Sequence, residues 1–242
     1  MKIHIETAAL WDAVRSGEEC PLCHIQRHME RQYVEAYLGE TAMQPDSRIE
    51  VNKKGFCARH SSQLYRGGAR LPLALQLHTY MGENNKRLRG ILSGLSPKGN
   101  RLKQAADKIR EMEKGCVICG YMQAHHRRYL QTLLQLYAGE REFRRLLDEG
   151  QGCCLPHLAD LLEAVQQHMS GKDAADFTAR LADRQNAGMK RLEDELLWFT
   201  KKFDYMNRDE PWGTSRDSIP RTIRKLHGET LEREKEDHTD SK

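Results

Sequence analysis

The chain has 242 residues, 38% of them hydrophobic and 31% charged, with a formal net charge of +4 at neutral pH. Its mean hydropathy of -0.77 is polar for a folded protein, and so small a net charge argues against a general nucleic-acid binder, which carries a strongly basic domain or stripe. The opening MKIHIETAALWDAVRSGEE has no apolar signal core and no stretch approaches the roughly 20 apolar residues that span a bilayer, so a cytoplasmic protein without a membrane partner is expected.

Leucine is abundant while valine and isoleucine are scarce. Few runs alternate polar with apolar residues, so an all-α fold is expected. A short amphipathic helix is predicted around Thr7 to Arg15, and the spacing of Leu22, Ile25, Met29, Tyr33 and Tyr37 predicts a second over Cys20 to Leu38, ended by Gly39. A polar stretch with Pro45, Asp46 and Gly55 leads to a helix from Cys57 through Leu64, closed by Gly67 and Gly68. Pro72 fits the first turn of a longer helix carrying Leu75, Leu77, Met81, Leu88 and Leu92. Residues 93–100 gather serine, glycine and proline and read as a linker.

Beyond that linker a charged helix leads to Cys116, residues from Tyr121 to Tyr137 repeat the long helix of the first half, and Gly150 and Gly152 precede Cys154. A late helix carries Phe177, Leu181, Leu192, Leu196 and Phe199, with Arg191 and Glu195 as an exposed pair one turn apart. Trp198, Phe199, Phe203, Tyr205 and Trp212 are expected to clamp the modules together. Ile219, Ile223 and Leu226 would form the apolar face of a short docking helix that leaves Arg221, Arg224 and Lys225 in solvent. The segment from Gly228 to Lys242 is mostly charged and reads as a disordered tail.

One cysteine and histidine pattern occurs twice: Cys20-x-x-Cys23 followed by Cys57-x-x-His60, then Cys116-x-x-Cys119 followed by Cys154-x-x-His157. Cys20, Cys23 and Tyr33 match Cys116, Cys119 and Tyr129 at a constant offset of 96, and the CxxH pairs follow at 97. Internal duplication is the simplest account. It predicts a first metal-binding module over residues 1–95, a second over 96–202, a docking segment over 203–227 and a tail over 228–242.

Taken in tandem order, Cys20, Cys23, Cys57 and His60 form one ligand set and Cys116, Cys119, Cys154 and His157 the other. Zinc accepts a tetrahedron of thiolate sulfur and imidazole nitrogen, and four protein donors close the site where a catalytic zinc leaves a position to water. Two zinc ions per chain are expected. Pro21 suits a first helical position, which puts Cys20 at the cap and Cys23 in the first turn, while the i,i+3 spacing of each CxxH places its side chains together. Helix N-termini converging on each ion would stabilise the negative charge of three thiolates. An iron-sulfur cluster and redox-active CxxC dithiols are the alternatives. Cys153 stands where the first copy has Phe56 and reads as a buried small side chain, with Cys154 the better ligand.

The strings CPLC, GFCARH, LPLAL, GCVIC, CCLPH, WFTKKFDY and PRTIRKL resemble an uncharacterised bacterial family of helical proteins with duplicated cysteine and histidine motifs. The resemblance spans most of the chain and implies the same eight ligands, but no activity. Val117 and Cys153 depart from the proline and phenylalanine of the first copy, so the two sites differ locally.

The leading functional reading is a non-enzymatic zinc-binding scaffold with a protein partner. A thiol redox sensor or oxidoreductase using the CxxC pairs is the first alternative. Nucleic-acid binding through His125 to Tyr129 or Arg221 to Lys225 is the second, with solvated helix faces the plainer account of both patches. His24 and His28 are spare histidines near the first CxxC. No phosphate-binding glycine loop, HExxH helix or serine nucleophile elbow is present.

Overall fold

The computed structural model describes residues 5–229. Among them are eleven α-helices and no strand: α1 (Ile5–Arg15), α2 (Pro21–Leu38), α3 (Pro45–Lys54), α4 (Ala58–Arg66), α5 (Arg70–Leu92), α6 (Arg101–Met112), α7 (Val117–Gly139), α8 (Arg141–Glu149), α9 (Leu155–His168), α10 (Gly171–Lys201) and α11 (Ser218–His227). Most of the expected tail lies outside the described residues. None of these helices is long and apolar enough to cross a membrane.

Two helices were not expected. Pro45 at the first turn and Asp46 beside it start α3 in the stretch read as polar connection. Its only buried residue is Val51, so it carries almost no periodic apolar signal. Helix α8 likewise buries only Phe143. The breakers at 93–100 do separate α5 from α6.

The compact units do not follow the tandem order. One consists of residues 5–27 with 126–229, and the other is His28–His125, so the boundary expected at 95/96 falls inside the second unit. In the first unit α10 packs against α8, α9 and α11, and α1 packs against α8. Trp11 meets the edge of Phe143 at 5.3 Å and Tyr137 that of Phe177 at 4.6 Å.

In the second unit α5 packs against α3, α4 and α6 around a core of Tyr37, Val51, Leu64, Leu73, Val117, Ile118 and Met122. The buried stripe of α5 is Leu73 with Gln76, whose amide donates to the Tyr37 carbonyl at 2.8 Å. Leu77, Met81 and Leu92 of the expected apolar face are exposed instead. A buried glutamine rotates the helix because its hydrogen bond to Tyr37 is made only on that face.

Gly55 and Gly152 each stand two residues before a CxxH motif, with φ of 64° and 82°. An added Cβ at Gly152 would also lie 2.7 Å from Gln185 Oε1, the atom that accepts from the Cys153 amide at 2.9 Å. Gly152→Ala is expected to cost about 1–3 kcal/mol through left-handed strain, read as a lowered midpoint in urea unfolding.

Candidate metal centres

Each cysteine motif sits at the start of a helix. Cys20 and Cys116 immediately precede α2 and α7, Cys23 and Cys119 lie in their first turns, and Cys57 and Cys154 are the N-caps of α4 and α9. Proline opens α2, where a missing N–H costs nothing. Val117 takes the corresponding place in α7, and its N–H donates to the Gly55 carbonyl at 3.0 Å.

The half-sites combine out of tandem order, correcting the expected pairing. Cys20 and Cys23 meet Cys154 and His157, while Cys57 and His60 meet Cys116 and Cys119, and within each group the ligand atoms lie within 4.8 Å of one another. Both groups could hold a metal ion. All seven cysteines are free thiols. A physical reason for the exchange is the length of α2: it carries the chain about 22 Å beyond Cys23 before the turn at Gly39.

In the first group Nδ1 of His157 lies 3.4 Å from Cys20 Sγ, 3.4 Å from Cys23 Sγ and 3.2 Å from Cys154 Sγ, and Cys23 and Cys154 are 3.5 Å apart. All four residues are buried. In the second, Nδ1 of His60 is 3.3, 3.2 and 3.3 Å from the sulfurs of Cys57, Cys116 and Cys119, with Cys57 and Cys119 3.8 Å apart. Here Cys119 is exposed and Cys57 and Cys116 are half-buried.

The side chains of a group cannot all ionise by themselves. Partial burial, then hydrogen bonding and repulsion from Cys116 and repulsion from Cys57, push Cys119 up to about 12. Cys116 falls to about 6, because hydrogen bonds from His60 and backbone N–H groups outweigh its burial. Burial opposes protonation of both ligand histidines, yet contacts with Cys116 and Glu30 raise His60 to about 10, and contacts with Cys154 and Cys20 raise His157 to about 10. The sulfurs around each imidazole thus favour its charged form, as they would favour a divalent cation.

Outer contacts orient the imidazoles. Nε2 of His60 is 3.0 Å from Glu30 Oε1, within hydrogen-bonding distance though not aligned as a hydrogen bond, and Arg59 donates to the other oxygen of Glu30 at 2.7 Å. At His157 the neighbours are His126, with ring centroids 5.0 Å apart, and Asp160, which lies 2.9 Å from His126 Nε2. These three form a further group that could hold a metal ion, sharing His157 with the first.

Motif spacing did not single out Glu30, His126 or Asp160 as site neighbours, yet the two sequence offsets point to them. The offset of 96 relates Glu30 to His126, and that of 97 relates Gln63 to Asp160. Each centre therefore keeps one carboxylate beside its histidine, on α2 in one case and on α9 in the other. Burial pushes the Cys20 thiol up, and Cys153, which lies outside both quartets, helps the neighbouring ligands to pull it down instead.

The C-terminal helix braces the first centre. Ser218 and Lys225 are its innermost residues and Ile219 is 43% exposed, against the expected faces, while Ile223 and Leu226 are half-buried. Lys225 Nζ donates to the carbonyls of Gln151 at 2.5 Å and Glu19 at 3.3 Å. Burial lowers its pKa, and the charges of Glu19, Cys153 and Cys20 partly restore it. Arg191 and Arg221 bind Glu19 and Glu195 in a four-residue ion-pair ring, so Arg191 and Glu195 are not the exposed pair expected. Within the aromatic cluster Phe199 packs on both Trp212 and Phe203 at 5.5 Å, yet Phe203 and Tyr205 are 76% and 86% exposed.

The expected basic patches are largely engaged. Tyr129 is buried, His126 holds Asp160, and Arg221 and Lys225 are committed as above. His24 lies 2.9 Å from Glu18. Neither the curated proteins nor the solved structures contain a match to the chain. Residues 1–233 match the DUF6062 family, a family of unknown function, and the chain belongs to it.

Proposed function

We propose that the chain is a helical scaffold closed by two structural zinc ions, held by Cys20, Cys23, Cys154 and His157 and by Cys57, His60, Cys116 and Cys119. The observation that carries this is the shape of the two groups. A tetrahedron with Zn–S near 2.3 Å and Zn–N near 2.0 Å has edges of roughly 3.5–3.8 Å. The sulfur–sulfur distances of 3.5 and 3.8 Å match, and sulfur–nitrogen distances of 3.2–3.4 Å are slightly tighter. Cages of this size enclose one ion; the inorganic sulfides of an iron-sulfur cluster need wider separations.

Four protein donors leave no position for water or substrate, which favours a structural role over hydrolysis. Duplication of one CxxC and CxxH unit, with half-sites exchanged between the copies, accounts for the repeated spacing and the matched outer positions. A protein partner fits the second unit, where Leu77 and Met81 are exposed one turn apart on α5. A reducing cytoplasm would keep the free thiols available as ligands.

Elemental analysis of protein purified anaerobically without added metal is expected to give about two zinc ions per chain. Iron in their place, or fewer than one metal per chain with paired thiols, would overturn the assignment.

A further inference from the structure

The two centres differ in how solvent reaches their sulfurs. Cys20, Cys23 and Cys154 are 3%, 4% and 0% exposed. A cleft of about 180 Å³ borders Cys20 and Cys23, but the ion pairs of Arg27 with Glu18 and Glu229 and of Arg221 with Glu19 lie along it. Cys119, by contrast, is exposed. The residue after Cys23 is His24, held to Glu18 at 2.9 Å, whereas the residue after Cys119 is Gly120, where an added Cβ would meet nothing within 4 Å. Beneath Cys119, Cys57 Sγ waits at 3.8 Å.

An exposed cysteine, which zinc would hold as its thiolate, with a second sulfur at that distance has the layout of a two-electron thiol switch. We propose that Cys57, His60, Cys116 and Cys119 form an oxidation site for hydroperoxides, in which Cys119 reacts first and the metal is released, while the buried centre keeps its ion. The proposal rests on the zinc reading above and assigns different duties to the two ions.

The chemistry balances with the peroxide as sole oxidant. The Cys119 thiolate attacks one peroxide oxygen, the O–O bond breaks, and hydroxide leaves to be protonated as water, giving Cys119 sulfenic acid. The Cys57 thiolate then attacks Cys119 Sγ, forming the S–S bond and expelling a second hydroxide that becomes water. Two electrons pass from the sulfurs to the peroxide and two protons are consumed. Zinc loses two of its four donors and leaves. Cys116 serves as the resolving thiol if it reaches Cys119 Sγ before Cys57 does.

The test treats the full-length reduced protein with a few equivalents of hydrogen peroxide, follows zinc with a chromophoric chelator, and maps oxidised cysteines by differential alkylation and mass spectrometry. One of the two ions is expected to leave more than about tenfold faster than the other, with Cys119 oxidised first and joined to Cys57 or Cys116. Cys119→His keeps a donor that zinc accepts and removes the exposed thiol; its fast phase is expected to disappear.

Equal release of both ions, first oxidation at Cys20, Cys23 or Cys154, or an undiminished fast phase in Cys119→His would overturn the proposal. Metal content before peroxide separates it from the reading beneath it: a chain without zinc overturns the structural assignment, and the cysteine map still decides whether Cys119 is oxidised first. If Cys119→His fails to hold metal, the map and release rates of the unaltered chain decide.

Discussion

Cys23→Ser and Cys154→Ser are each expected to lose one metal ion, and the double variant to lose no more than either alone. Combining Cys23→Ser with Cys57→Ser should empty both centres. The two doubles separate the exchanged grouping from the tandem one, which predicts the opposite results. Substitutions on one ion are non-additive because the second has nothing left to remove, whereas those on separate ions add.

The effect on stability is large. A structural zinc site contributes roughly 10–16 kcal/mol in small zinc peptides, comparable with the whole stability of a domain, about 5–15 kcal/mol. Cys23→Ser should therefore unfold the unit of residues 5–27 and 126–229, with the thermal transition of His28–His125 persisting. Elemental analysis combined with circular dichroism melts reads both quantities. A chelator that strips both ions should abolish both transitions.

Removal of Glu195 has the second largest expected effect. Its carboxylate lies 2.6 Å from Arg221 and 2.9 Å from Arg191 and accepts from Thr214 at 3.0 Å. Glu195→Ala leaves both guanidinium groups short of a partner in a poorly solvated site and should cost about 3 kcal/mol. It should also loosen α11, because Arg221 belongs to that helix. A urea midpoint measured beside Arg221→Ala and the double variant gives the coupling.

The same residue fixes the sign of a pH effect. Burial opposes ionisation of Glu195, but the ion pair with Arg221 and the hydrogen bonds from Arg191 and Thr214 outweigh it and hold its pKa below the ordinary 4.5. The folded state therefore binds the proton more weakly than the unfolded state. The stabilisation is present above the unfolded value and is lost as pH falls through the lowered folded value. Glu18 and Glu30 are lowered in the same sense, so stability should fall below about pH 5, less steeply in Glu195→Gln. An equal slope in that variant would remove Glu195 from the account.

Replacing Lys225 separates bracing from ligation. Lys225→Met keeps much of the side-chain volume but removes the donor to Gln151 and Glu19 and a positive charge near Cys20. Zinc loss to a chelator should quicken at the first centre alone, by roughly tenfold, about the effect of losing an outer-shell partner. Equal acceleration at both centres would point to general loosening instead.

The helical class, the break between α5 and α6 at 93–100 and the positions of the four motifs at helix starts follow from residue types and spacing alone, because capping, proline placement and apolar period act within a few residues. Helix α3 escaped because it buries a single residue, whereas α8 does carry a helical apolar spacing in Phe143, Leu146 and Leu147 but is only nine residues long. The buried sides of α5 and α11 escaped for another reason: Gln76 and Lys225 are polar, and only partners far along the chain, Tyr37 for one and Gln151 and Glu19 for the other, make their burial favourable.

The sequence by itself determined which eight side chains are suited to hold metal, since thiol and imidazole chemistry and the CxxC and CxxH spacings are local properties. It did not determine which four share a centre. Both half-site types occur twice, so every CxxC can be completed equally well by either CxxH, and local spacing leaves the two choices degenerate. Only the tertiary fold broke that symmetry, by carrying the chain away from Cys23 along α2 and bringing Cys154 and His157 to the first CxxC.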